Sequence, residues 1–349
     1  MQSFVHLANT FLQKAAAGKF PTLVAVAAMA AVTGAMAQVT IFGIVDQAYT
    51  IVSSTAATAS GGAKTKTTSI AGQYTGNELG FKGNEDLGGG LKADFQIHFA
   101  PNVDGTPAVA GVTSSTYATA YQSHVGLRGG FGYVRLGQFF SPSFFNNATY
   151  DSVGYSGVAN ASNINSGAGL KSNAVEYTLP VLMEGVAVSY MMAKGEVAAP
   201  STSASNDFSN IRVSYTSGPL SVGYATDSTK GVPGSTTKGT STGFSYDFGM
   251  AKVFYTGLTQ KVTGVTYTVK GSSMGVSVPF GATTLGLQST NSSNLAASGD
   301  KSTGSLIQVK HDLSKRTSVI FQNGTEKNTA GTSLGAKTTT SAIGLWHSF

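Results

Sequence analysis

The sequence predicts an all-β protein, a transmembrane antiparallel β-barrel of sixteen strands, and three observations carry that expectation. Apolar and polar residues alternate with period two along most of the chain. Charge is scarce while glycine and aromatic residues are abundant. Turn signals alternate between short and long. Charged residues make up 11% of the chain, against about 25% in ordinary soluble domains. The 44 glycines exceed the usual share of about 7%. A soluble globule would carry more Lys and Glu on its surface, and a disordered secreted chain would lack the 14 Tyr and 19 Phe.

Residues 1–37 read as a secretory signal peptide. Lys14 and Lys19 form a basic region, Leu23 to Val32 an apolar stretch, and Ala35-Met36-Ala37 a small-residue cleavage site. The apolar run is shorter than the ~20 residues a membrane helix needs. Cleavage would leave a single barrel domain, 38–349, and lower the formal net charge from +6 by the two lysines. Export combined with the absence of cysteine suits a large periplasmic or outer-membrane protein, since only small secreted domains depend on disulfides. No later stretch offers ~18 unbroken apolar residues.

The strands announce themselves by alternation. In Leu91-Lys92-Ala93-Asp94-Phe95-Gln96-Ile97-His98-Phe99 the odd positions are apolar and the even ones mostly polar. Val186, Val188, Tyr190 and Met192 alternate with Ala187 and Ser189; Ile211, Val213 and Tyr215 with Arg212 and Ser214; Phe244, Tyr246 and Phe248 with Gly243, Ser245 and Asp247. This is the two-residue period of a strand. No apolar pattern of helical period persists for three turns. Short turns are signalled at 85–90, 128–132, 217–219, 249 and 312–315, and long polar loops at 54–66, 102–115, 140–171, 194–207, 228–238, 291–303 and 325–336, with one external loop of a few residues within 258–281. Short periplasmic turns alternating with long external loops are the arrangement of a membrane barrel.

Other chemistries find little support. Gly76 to Gly83 is glycine-rich, but no Gly-Lys-Ser/Thr follows and no helix begins there. His98, His124, His311 and His347 show no metal-ligand spacing. No nucleophile, base and orienting partner can be nominated, so an enzyme is not expected and neither is a cofactor. Lys and Arg are not clustered as in a nucleic-acid footprint. An adhesin or autotransporter would carry a passenger or a shorter barrel.

Several segments carry a family resemblance. Val39-Thr40-Ile41-Phe42-Gly43-Ile44-Val45-Asp46 resembles the first strand of the Gram-negative general porins, in their β-proteobacterial branch. The run from Leu79 to Ala93 is similar to the branch's second hairpin, Val125 to Gly137 to its fourth and fifth strands, Leu313 to Thr317 to a late periplasmic turn, and Gly344 to Phe349 to the closing strand. The resemblance implies a trimer in the outer membrane, in contact with its lipid and lipopolysaccharide, with the third external loop folded into the lumen. It implies passive diffusion of small hydrophilic solutes and ions; the alternative is a channel specific for one solute class. Phe349 is then either a signal read by the outer-membrane assembly machinery or a member of the interfacial aromatic girdle.

The family's constricting loop corresponds to Phe139–Lys171, which contains five asparagines but a single acid, Asp151. Acids on this loop face arginines on the wall in the family, and the transverse field sets ion preference. Parity places Glu78 and Lys82 inward on the second strand, Lys92, Asp94, Gln96 and His98 on the third, and Gln122, His124 and Arg128 on the fourth; Arg212 falls on the polar series of its strand. The family has Arg where this chain has Glu78 and Gln122, and often where it has Gln138. Arg135 is retained, and Lys171 keeps a base at the loop's far end. Glu78, Gln122, Arg135, Asp151 and Lys171 are the expected constriction. Lys82, Lys92, Asp94, His98, His124, Arg128 and Arg212 are expected to line the lumen, with Lys82, Lys92 and Arg128 near the periplasmic mouth. Each charge has the plainer alternative of solvating a wide pore.

Overall fold

The computed structural model describes residues 38–55, 64–72, 74–101, 103, 118–155, 169–195, 206–293, 299, 301–330 and 336–349. The expected leader, 1–37, lies outside the described residues. Seventeen strand segments form one antiparallel sheet that closes on itself. They are β1 (Gln38–Thr55), β2 (Lys64–Ala71), β3 (Glu78–Gly88), β4 (Leu91–Pro101), β5 (Ala118–Gly129), β6 (Gly132–Phe140), β7 (Leu170–Thr178), β8 (Val186–Ala193), β9 (Phe208–Ser217), β10 (Leu220–Lys230), β11 (Thr236–Asp247), β12 (Lys252–Val262), β13 (Val269–Phe280), β14 (Thr283–Ser293), β15 (Lys301–Asp312), β16 (Thr317–Ala330) and β17 (Lys337–Ser348).

Closure comes from β1, which pairs with β17 along one edge. Its other edge pairs with β3 through Gln38–Ile44 and with β2 through Ala48–Thr55. β2 and β3 are therefore two halves of one wall position, and the seventeen segments make sixteen staves. Among the described residues no helix is long and apolar enough to cross a membrane; the strands do so, closed so that no edge is left in lipid.

The break between β2 and β3 is chemically specified, and sequence periodicity missed it. The Asp46 carboxylate, 2% exposed on β1, accepts backbone N–H bonds from Tyr74, Thr75 and Gly76 at 2.7, 2.8 and 2.9 Å. Asn77 Oδ1 accepts the Asp46 N–H at 2.8 Å. A carboxylate and an amide thus replace the ladder bonds that this segment gives up. Trp346 Nε1 donates to Thr75 Oγ1 at 2.9 Å, and the Tyr74 ring meets the Trp346 ring edge to face.

Faces follow parity. Ile97, Val125 and Leu287 point outward and remain 45%, 56% and 40% exposed, as lipid-facing residues do in a protein stripped of its membrane. The inward series is small or polar: Thr50, Ser241, Ser245, Thr256, Ser273 and Gln322 are buried. Among the register shifts of the described strands, those in β5 and β7 bear on the expected site residues. In β5, Tyr121 and Gln122 together stand opposite His98, because Ile97 pairs with Ser123 and Phe99 with Ala120. In β7, Ser172 and Asn173 together stand opposite Gln138, with Gly137 paired to Ala174 and Phe139 to Lys171. A bulge re-aims the side chains beyond it, so Lys171 joins Ala174 and Glu176 on the inner face although its number is odd.

Some expected loops are shorter than composition suggests. β10 and β11 extend until only 231–235 separates them, and β16 runs to Ala330. Ser and Thr there read as loop residues but form ladders. The turn at 179–185 between β7 and β8 carried no turn signal strong enough to be singled out.

Candidate functional site: the segment across the lumen

After β6 the chain forms α1 (Pro142–Thr149), two turns long. Ser141 caps it, its Oγ accepting the Phe144 N–H at 3.2 Å, and Pro142 occupies the first turn. Both are preferred there because the first helical N–H groups have no partner within the helix. Two turns are too short for an apolar period to show in sequence. The helix buries a polar face instead: Ser143, Asn146 and Asn147 are fully buried.

That face is bonded to the inner wall. The Ser143 N–H donates to Asn210 Oδ1 at 2.7 Å and its hydroxyl to Asp227 at 3.1 Å. Asn146 Nδ2 donates to Ser241 Oγ at 2.8 Å. Thr256 donates to the Tyr150 carbonyl at 3.0 Å, and Ser152 donates from both N–H and hydroxyl to Gln288 Oε1 at 3.1 and 2.8 Å. Residues 141–155 therefore run from β6 along the inner side of β9 through β14. The wall makes room by carrying no side chain at Gly243 and Gly275: a Cβ at the first would overlap the Tyr150 ring, and at the second the Ser152 hydroxyl.

Asp151 is engaged throughout. Its Oδ1 accepts the N–H groups of Val153 and Tyr155 at 2.9 and 2.8 Å, and its Oδ2 accepts Gln288 Nε2 at 2.7 Å. It pins the turn that follows the helix as well as carrying charge. Glu78 lies on β3, with its carboxylate 3.4 Å from His98 Nε2. His98 is sandwiched between Phe42 and Tyr121. Tyr121, absent from the residues expected by parity, takes the inward contact at the bulge, and Gln122 lies half-buried beside it.

Arg135 and Lys171 flank Phe139. The Arg135 guanidinium stacks 4.0 Å over the Phe139 ring and donates to Glu176 at 3.0 Å. Lys171 lies 4.3 Å over the Phe208 ring. Phe139, Ala174, Met191, Ala193 and Phe208 form an apolar cluster inside the barrel, and burial of these stems against rings is how long cations sit on an apolar surface. The expected constriction residues are thus spread around the wall, with Arg135 on β6 and Lys171 on β7 flanking Phe139, Glu78 on β3, Gln122 on β5, and Asp151 held to β14.

Toward the short-turn end, Lys82, Lys92, Asp94, His124 and Arg128 line a common cavity of about 570 Å³. Asp94 is its hub, accepting Arg128 at 2.8 Å and the Tyr133 hydroxyl at 2.8 Å, with His124 Nε2 at 3.6 Å. Arg212 lies by α1, at 3.4 Å from both Asn146 Oδ1 and Thr149 Oγ1. Glu176, Asn210, Asp227 and Gln288 carry much of this architecture. A carboxylate or amide on a polar series was the only sequence signal they offered.

The closing strand ends in a joint. Phe349 exchanges both backbone bonds with Gly43, at 3.1 and 3.0 Å, and its ring covers the space over that glycine.

A closed sixteen-stave barrel with a lipid-type exterior, a polar interior and a segment bonded across it defines an outer-membrane protein of the porin class. The family description that fits, Gram-negative porin, spans residues 25–331, and the chain belongs to that family. Its relatives include the major outer membrane protein P.IB of Neisseria gonorrhoeae, 37% identical over 121 residues, or 35% of this chain and 32% of that protein. Outer membrane porin protein 32 of Delftia acidovorans is 37% identical over 139 residues, 39% of this chain and 36% of that protein. The matches therefore span about a third of the length of these curated relatives. The anion-selective porin from Comamonas acidovorans aligns with a TM-score of 0.74 at 25% identity, covering 90% of this chain and all of that one. Salmonella typhi OmpF, solved with daunomycin, shares the fold at 14% identity and a TM-score of 0.65, covering 89% of this chain and 97% of that one.

Proposed function

We propose that the protein is a passive aqueous channel of the outer membrane for small hydrophilic solutes and ions, working as a homotrimer without catalysis. The observation that carries this reading is the bonding of residues 141–155 across a polar lumen. A barrel of this width passes large solutes unless something narrows it, and a segment held by Asn210, Ser241 and Gln288 narrows it permanently. Glu78, Gln122, Arg135, Asp151 and Lys171, with Tyr121 and Arg212, surround the opening it leaves. The leader 1–37 directs export, and Phe349 serves as the assembly signal.

Selectivity follows from the charges around that opening. Glu78, Asp151, Glu176 and Asp227 are set against Arg135, Lys171 and Arg212. Near-cancellation makes a weakly selective pore with a mild preference for cations, unlike the related Comamonas porin, whose description is anion-selective. Local fixed charge matters rather than the net charge of the chain, because screening limits its reach to about 8 Å at physiological salt.

The test is conductance in planar bilayers. Folded, purified protein is expected to give discrete steps that scale with salt concentration, with a reversal potential near zero in a salt gradient. Folded protein that gives no steps overturns the reading.

A further inference from the structure

We propose that the cavity between α1 and the wall is a subsite for small aromatic carboxylates that carry a hydrogen-bond donor on the ring, such as 4-hydroxybenzoate. This rests on the channel reading above. The cavity is about 170 Å³, and Pro142, Phe145, Glu176, Ser189 and Arg212 are among the residues lining it, so it lies on the short-turn side of the helix.

Three features of the cavity select that chemistry. The face of α1 turned away from the Asn146 contacts is aromatic. Phe145 remains 37% exposed and belongs to a run of rings: Phe140 stacks on Phe144 at 3.9 Å, Phe144 meets Phe145 at 5.6 Å, and Phe140 meets Tyr121 at 5.1 Å. A general water-filled pore has no need of an exposed phenyl ring at its narrow section, whereas a planar solute gains an offset or edge contact there. Second, Arg212 makes no contact ion pair with a described residue; it donates a hydrogen bond to the Tyr150 hydroxyl, and its contacts to Asn146 and Thr149 are long. Its guanidinium offers a fork suited to a carboxylate. Third, Glu176 is 6% exposed. One carboxylate oxygen is taken by Arg135 while the other, Oε2, is buried without a hydrogen-bond partner. A buried acceptor left unmatched is costly, and a ring hydroxyl satisfies it. Arg135 holds one Glu176 oxygen, and Glu176 attracts Arg212 without forming a contact ion pair, so the guanidinium fork stays available to the carboxylate of the solute.

The experiment reads current interruptions in single reconstituted channels as 4-hydroxybenzoate, benzoate or acetate is added at constant ionic strength. Interruptions are expected to be longest with 4-hydroxybenzoate, shorter with benzoate and absent with acetate. Phe145→Leu, which keeps apolar volume but removes the ring, is expected to shorten them about fivefold, the size of one aromatic contact, read against each channel's own open current. The wild-type comparison of the three anions needs no variant, so a misfolded variant does not protect the proposal. Equal responses to acetate and 4-hydroxybenzoate, or an unchanged response in Phe145→Leu, overturn the subsite and leave the channel reading standing. Absence of conductance in every sample overturns the channel reading itself.

Discussion

From β3 to β9 the inner wall carries ions, whereas at mid-height from β11 to β14 it carries Ser241, Gly243, Thr256, Leu258, Ser273, Gly275 and Gln288. In the first arc charged groups pair along the wall, Asp94 with Arg128 and Arg135 with Glu176, and Glu78 lies beside His98. Arg128 reaches open water, where a paired charge costs little, whereas Arg135 and Glu176 are mostly buried and each offsets the other's lost hydration. The second arc lies beneath residues 150–153, where an unpaired charge would lose its hydration. Small and neutral side chains there let a ring and a backbone approach the sheet. One arc faces the lumen; the other is the seat of residues 150–153, in the segment that we propose narrows the pore. Their outer faces, by contrast, are alike.

The likeness of the outer faces supplies the largest expected effect. Ile97→Arg on the charged arc and Leu287→Arg on the neutral one should each destabilise the protein by about 2–4 kcal/mol near the bilayer midplane, measured by urea unfolding from lipid vesicles. Gln96→Arg, one residue from Ile97 and facing the lumen, should cost far less. Equal costs at positions 96 and 97 would break the assignment of faces for that arc.

The seat is tested by Gly243→Ala. The added methyl overlaps the Tyr150 ring, and overpacking of this kind costs about 1–3 kcal/mol. Release of the segment should accompany it, seen as larger single-channel conductance. Gly130→Ala, in an open turn of the charged arc with nothing nearby, is the control and should change neither quantity. Unchanged conductance in a folded Gly243→Ala protein would mean that the segment does not limit the pore.

The sequence made the barrel legible because membrane strands write one residue in two for lipid, as in Leu91–Phe99 and Ile211–Tyr215. Glu78 and Asp94 fell on the inner face for the same reason, whereas Arg135 was named from the family resemblance. What parity did not reveal lies where the ladder is interrupted. The Asp46 carboxylate that holds Tyr74, Thr75 and Gly76 out of the sheet looks like any polar residue on a strand. The bulges at Tyr121 and Asn173 re-aim their neighbours without a glycine or proline to mark them. α1 buries Ser143, Asn146 and Asn147, so its packing face carries no apolar stripe. Asp151 was visible as the loop's single acid, but its bond from Gln288 comes from 137 residues away.

That last contrast yields the smallest effect and the finest test. Glu78 belongs to the first arc and Asp151 to the seat, and both are acids proposed for the constriction. The Glu78 side chain is 19% exposed and its polar neighbour is a histidine, so its charge acts on passing ions with little structural duty. Asp151 is 5% exposed and its oxygens are occupied by two backbone N–H groups and Gln288. Glu78→Arg should therefore raise the anion-to-cation permeability ratio by about twofold to fivefold, the scale of a kcal/mol or less of Coulomb energy in a water-like medium, without changing current noise. Asp151→Asn puts an amide donor where one acceptor stood, so either a backbone N–H or Gln288 loses its partner. Its signature should be noisier current from a loosened segment, with a smaller shift in reversal potential. If Asp151→Asn moves the reversal potential more than Glu78→Arg does, the acid in the seat sets the field and the first arc is only its solvated surround.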